Sequence, residues 1–259
     1  MSETSTVSAN PEKKGLTLKK VLVNLLKFGL GVLAIYMIIR KVDEQLVLEY
    51  MSRVNVGLLA LAFLSFFVSK IFAAFRINRY YRTRDLHISD LHNYKLTLAS
   101  MFYNLFIPIV GGEGFKVVWL NKEYGTSVKG LVWSSLLDRV SGLAMLVTMF
   151  LLIMPFTGLE IPYKNLSPLL IILMFIVYFF VHRIFYRTYH PAYWQVNGFS
   201  VIMQGFQVLT VWLVLVSLGI TEQRIDYLFV FMVSSLAYML PFMGARELTF
   251  ILGAEMLGL

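Results

Sequence analysis

Cysteine is absent from the 259 residues. That absence removes disulfides, thiol nucleophiles and thiolate metal sites together. Polar sequence is scarce too: beyond residues 1–20 no stretch is long and polar enough to fold as a separate soluble domain. Acid is short relative to base, 15 Asp and Glu against 23 Lys and Arg, giving a formal charge of +8. This excess does not point to nucleic acid, because Lys and Arg mark the cytoplasmic loops of membrane proteins. His87 and His92 stand five apart, and His182 and His190 eight apart, neither being the one-face spacing of a helical zinc pair. No metal and no cofactor are expected. The N-terminus lacks the layout of a cleavable signal, since its first twelve residues are polar and no small-residue cleavage site follows the apolar run at 22–39.

What is present is apolar. Hydrophobic residues make up 58% of the chain, and mean hydropathy is +0.70. Soluble domains are usually ~45–50% apolar, and several runs here approach the ~20 residues that cross a bilayer. The expected fold is an all-α polytopic membrane protein. Residues 1–20 form a disordered cytoplasmic tail, and 21–259 form one transmembrane domain. Spans are expected at about 21–39, 56–75, 130–156, 168–181 and 200–218. The loop Arg76, Arg79, Arg82, Arg84 is the most basic, and the loop at 182–197 holds Arg183 and Arg187 without an acid. Both read as cytoplasmic, as does the N-terminus, in a multi-pass protein of the cytoplasmic membrane. Lys70 reads as a residue near a span end that snorkels to the interface.

Parity then constrains the middle of the chain. With 76–90 and 121–129 both inside, the apolar stretch 91–120 must enter and return on one side, as a re-entrant hairpin. Residues 227–259 read as a second hairpin, entering from outside. Each half, about 21–156 and about 168–259, is then two spans plus a hairpin, in opposite orientation: an inverted repeat. The second half lacks the counterpart of 130–156, so a further span beyond Leu259 is expected.

With only seven prolines in the chain, their positions carry weight. Pro108 cannot continue a helix, and Gly111, Gly112 and Gly114 permit backbone angles that other residues avoid. Broken backbone at membrane depth must be buried in protein or line a wet cavity. Glu113 and Lys116 follow, three apart and on one helical face. The chain nearly repeats this plan at Pro241, Gly244, Arg246 and Glu247. Matched interrupted segments in two inverted halves point to a midplane site. The candidate binding-site residues are therefore Asn104, Pro108, Gly111, Gly112, Glu113, Lys116, Arg139, Pro241, Gly244, Arg246 and Glu247. Asp138 and Arg139, as sequence neighbours, do not share a helical face and are not each other's partner. Arg139 either faces the cavity and offsets Glu113 or a phosphate, or snorkels to the surface. Glu113 with Lys116 reads alternatively as an interfacial pair, and Glu255 lies near the chain end.

The pattern Asn-x3-Pro-x2-Gly-Gly-acidic-x2-basic, carried by Asn104, Pro108, Gly111, Gly112, Glu113 and Lys116, resembles the transmembrane domain of the lysylphosphatidylglycerol synthase/flippase family. The Arg-containing segment 135–140 and the second motif, Pro241, Gly244 and Glu247, add to the resemblance, which covers nearly the whole chain after the tail. Lys116 stands where Arg is commoner, keeping the charge but losing the bidentate fork, and Ala245 replaces a usual second glycine. The resemblance implies a lipid-handling membrane domain. Better understood members join it to a soluble aminoacyl-transfer domain; none is present here, so aminoacyl-lipid synthesis is not expected. Membrane lipids are the expected partners, with a lipid synthase or glycosyltransferase as a further one. The leading reading is flippase-like movement of headgroups between leaflets. Its rivals are a membrane-embedded transferase or hydrolase using Glu113, Glu247 and Asp138, and a structural partner of a synthase. No catalytic residue is assigned.

Overall fold

The computed structural model describes residues 44–106, 111–237 and 244–259, with scattered positions between 29 and 40. The tail at 1–20, most of the span expected at 21–39, and the motif prolines Pro108 and Pro241 lie outside the described residues.

All regular structure among the described residues is helical. A short helix α1, Glu44–Arg53, precedes the long helix α2, Val56–Arg82. Asn55 starts α2 by accepting the Leu58 amide on its side chain at 3.1 Å, satisfying one of the free donors at a helix start. At ~1.5 Å per residue α2 is about 40 Å long, more than the ~30 Å hydrocarbon core. It overruns the expected 56–75 by two turns, because Ile77, Asn78, Tyr80 and Tyr81 are buried rather than looped out. Two expectations change with it. Arg76 is a buried helix residue and not part of a loop, and Lys70 sits mid-helix and not near an end.

Helices α3 (Asp90–Phe106), α4 (Gly111–Tyr124) and α5 (Val128–Ile153) follow, the last continuing as a 3-10 turn at Met154–Phe156. Ser127 caps α5 by accepting the Gly130 amide at 3.2 Å. Helix α6, Ser167–Phe185, opens with proline in its first turn. A 3-10 segment, Arg187–Ala192, leads into α7, Tyr193–Ser217. Most of the loop expected at 182–197 is thus helix or 3-10 helix, with His182 buried. Helices α8 (Arg224–Leu236) and α9 (Ala245–Met256) complete the described chain. Among the described residues, four helical segments are long and apolar enough to cross a membrane: Val56–Arg82, Val128–Phe156, Lys164–Phe185 and Arg187–Ser217.

Helices α2 and α7 form the central antiparallel pair. The Asn55 amide donates to the Ser217 carbonyl at 2.8 Å, the Ser65 hydroxyl to the Phe206 carbonyl at 2.9 Å, and Phe72 stacks on Phe206 with centroids 5.8 Å apart. Ala62, Ser65, Ser69 and Ala74 are buried on α2; such small residues let helix backbones approach where no hydrophobic force drives apolar helices together in lipid. At one end of the bundle Ile77, Tyr81, Leu86, Ile88, Leu96, Val117, Leu120 and Leu131 share a core. That core ties the end of α2 to the outer ends of α3 and α4 and the start of α5. At the other end the Gly158 amide donates to Asp226 at 3.0 Å.

Candidate functional site

Helices α3 and α4 lie side by side and antiparallel. His92 meets Trp119 at 5.0 Å between centroids, Tyr103 stacks on Phe115 at 4.2 Å, and the Gly112 amide donates to the Asn104 side-chain oxygen at 2.8 Å. Asn104 thereby satisfies a free amide at the start of α4, which is what an N-terminal helix donor needs near membrane depth. The reason for glycine at 112 differs from the expected one. Residue 112 lies within helical backbone and is not among the glycines with positive φ. Its role is close approach: a Cβ there would run into the Ser100 carbonyl. Gly114 has nothing within 4 Å of such a Cβ. Gly244 does use the left-handed region, with φ 79, just before α9.

Two ion pairs reach α2 and α4 from neighbouring residues of α5. Asp138 accepts two hydrogen bonds from Arg76, Nε to Oδ1 at 2.7 Å and an Nη nitrogen to Oδ2 at 2.8 Å. These side chains are only 7% and 18% exposed. The bidentate fork is the strong geometry for guanidinium and carboxylate. Arg76 also lies 3.4 Å from the Ser200 hydroxyl of α7, so one guanidinium joins α2, α5 and α7. Gly142 makes the room, since a Cβ there would sit 2.9 Å from an Arg76 nitrogen. Arg139, one residue on, donates from Nε to Glu113 Oε1 at 2.6 Å. This pair is open, with side chains 37% and 30% exposed. Of the two orientations open to Arg139, the structure takes the one that offsets Glu113.

Lys116 sits one turn along α4 from Glu113. Its side chain is 6% exposed, and its Nζ donates to the Thr97 hydroxyl of α3 at 2.9 Å. Among the described residues no carboxylate is within ion-pair distance of Lys116. Lys70, mid-way along α2, has its ammonium 4.6 Å from the Phe66 ring centroid and likewise has no carboxylate at ion-pair distance. It stands within electrostatic reach of Arg76 and of Arg246 on α9.

The second motif lies where α9 packs on α8. Arg246 lies over the Phe231 ring at 4.6 Å. With Glu247 it lines a cavity of about 360 Å³ walled by Phe231, Ser234, Phe250 and Ile251 of α8 and α9. Asn104, Gly112, Glu113, Lys116 and Arg139 therefore form one group, with Gly111 opening the same helix. Gly244, Arg246 and Glu247 stand at the start of α9, and Lys70 is within electrostatic reach of both Arg246 and Arg76. Arg76 and Lys70 escaped sequence reasoning, as did Asp138's structural role and the Lys116 partner Thr97. The available signal was the i,i+6 placement of two cations on a helix otherwise apolar from 56 to 75.

No curated protein and no solved structure matches this chain. A family model described as lysylphosphatidylglycerol synthase TM region matches residues 24–259. The chain therefore belongs to the lysylphosphatidylglycerol synthase TM region family and is a multi-pass membrane protein connected with lipids.

Proposed function

We propose that this chain moves polar or anionic lipid headgroups between the leaflets of the cytoplasmic membrane while the acyl tails remain in the bilayer. One observation carries the reading: Glu113, Lys116 and Arg139 gather where the α3–α4 pair meets α5, and among the described residues the Lys116 ammonium meets a hydroxyl and no carboxylate. A charge near the bilayer centre costs roughly 3 kcal/mol unless it is paired or hydrated. An arriving phosphate relieves that cost at Lys116 and exchanges places with Glu113 on Arg139. The open Glu113–Arg139 pair suits such exchange, because about a third of each side chain stays accessible.

The antiparallel contacts within α3–α4 support reading it as a re-entrant hairpin opening to the cytoplasm. The Arg246–Phe231 contact between α9 and α8 supports a second hairpin, opening outward. On this plan the N-terminus is cytoplasmic and the two halves are inverted. Helices α2 and α7 are then corresponding spans, and their antiparallel packing is what an axis in the membrane plane requires. The starts of α4 and α9 add partial positive charge suited to an anion. Asp138 argues against the transferase or hydrolase reading, because its two oxygens are committed to Arg76.

The test is reconstitution into phosphatidylcholine vesicles with a trace of fluorescent phosphatidylglycerol, bleached from outside by dithionite. Protein-free vesicles lose only the outer-leaflet signal. Protein-containing vesicles are expected to lose the inner-leaflet signal as well; identical bleaching of the two would refute the proposal.

A further inference from the structure

Beside the bundle end that carries the basic turns lies an open groove of about 690 Å³ between the last turns of α2 and the 3-10 segment leading into α7. Arg79, Arg82, Thr83, Thr188, Gln195 and Phe199 line it, with Asp85 as the one acidic residue at its edge. Arg82 spends one nitrogen on Asp90, at 3.3 Å. Arg79 is different. Its guanidinium carbon lies over the Phe199 ring, 5.4 Å from the centroid, and its Nε is buried without a hydrogen-bond partner among the described residues. No carboxylate among the described residues is at ion-pair distance from it. A buried guanidinium N–H left unmet costs free energy, and the surrounding hydroxyl and amide groups offer an anion further donors. A planar fork on an aromatic face, beside a second arginine, is the arrangement that recognises a phosphate group through two hydrogen bonds.

We propose that this groove is a docking site for a phosphate ester at the membrane surface, with Arg79 as its anchor and Arg82, Thr188 and Gln195 as supporting donors. The site is distinct from Glu113, Lys116 and Arg139, and phosphate docking there does not require that the chain move lipids. Two sources present this chemistry, the headgroup of an anionic lipid and a soluble phosphate.

The experiment uses the full chain in a neutral detergent and reads bound lipid by native mass spectrometry. Phosphatidylglycerol is titrated with and without glycerol 1-phosphate or inorganic phosphate as competitor. Arg79→Gln is expected to weaken phosphatidylglycerol binding about 10- to 100-fold, as loss of charge-assisted hydrogen bonds implies, and Arg79→Lys to fall between. Thr188→Val, at an exposed position, is expected to weaken binding without affecting the fold. Competition by glycerol 1-phosphate at millimolar level assigns the site to soluble phosphates as well; its failure to compete assigns the site to lipid. Phosphatidylglycerol binding by folded Arg79→Gln and Thr188→Val equal to that of the unaltered chain would overturn the proposal. The two readings are separated by repeating Arg79→Gln on the Glu113→Gln background. The fold-loss of binding caused by Arg79→Gln is expected to be the same there, whatever Glu113→Gln does to lipid movement, and a loss that vanishes on that background would overturn the proposal.

Discussion

Asp138 and Arg139 are adjacent on α5, yet the ion pairs built on them sit in different surroundings. Arg76–Asp138 is sealed, bidentate and shared among three helices. Arg139–Glu113 joins α5 to α4 and keeps about a third of each side chain accessible. The difference follows from helix geometry: consecutive residues point about 100° apart, so one faces the α2–α7 core and the other faces the α3–α4 pair. The same two chemical groups thus form a clamp in one place and, on the proposed function, an exchangeable contact in the other. Burial separates the two pairs; charge alone does not.

The comparison breaks most readily at the sealed pair. Asp138→Asn leaves Arg76 buried without a counter-charge, and removing one partner of a buried pair typically costs about 3–5 kcal/mol. The melting temperature in detergent is expected to fall sharply. The joint replacement Arg76→Met with Asp138→Leu is expected to recover most of that loss, because apolar residues of similar volume do not carry the desolvation penalty. A melting temperature for Asp138→Asn equal to that of the unaltered chain would show that the pair is no clamp.

A smaller effect is expected where α3 packs on α4 beneath the open pair. Gly112→Ala drives a Cβ into the Ser100 carbonyl, an overpacking that costs about 1–3 kcal/mol. Gly114→Ala meets nothing and is expected to change stability by less than about 0.5 kcal/mol. Thermal melts of the two side by side check this, and equal losses would place the sensitivity elsewhere in the hairpin.

At the site itself function and stability are expected to part. Lys116→Met removes an ammonium whose partner among the described residues is a hydroxyl, and Thr97 keeps its own donation to the Asn93 carbonyl, at 2.9 Å. Stability is expected to hold or rise, while lipid movement in vesicles falls at least tenfold. Loss of both together would make Lys116 a structural residue. The smallest perturbation is topological. Because the chain has no cysteine, single cysteines at His87 and Glu123, both exposed, are expected to label from the same side of the membrane. Labelling from opposite sides would make α3–α4 a crossing.

The membrane class was legible from apolar run length, and Glu113 and Lys116 were legible because charge beside a proline-glycine break is rare in apolar sequence. Arg139 was legible as a residue with two possible orientations, and only the packing of α4 on α5 chose between them. Arg76 was not legible. A basic run at 76, 79, 82 and 84 reads as a loop under the positive-inside rule, and the rule does not register that Tyr80 and Tyr81 are buried and hold the helix together for two more turns. Lys70 was misplaced for the same reason: moving the helix end from 75 to 82 turns a snorkelling residue into a mid-helix one. The glycines were found but assigned a common cause, whereas Gly112 serves close packing and Gly244 a left-handed turn.

The central claim is that the open pair exchanges its carboxylate for a lipid phosphate. It is tested most directly by the rate of fluorescent phosphatidylglycerol movement in vesicles holding equal amounts of folded unaltered chain and Glu113→Gln. Since the pair is partly exposed, the substitution is expected to cost about 1 kcal/mol of stability or less, so folded yield is preserved. The account predicts lipid movement at least tenfold slower in Glu113→Gln. Movement as fast as in the unaltered chain would contradict it.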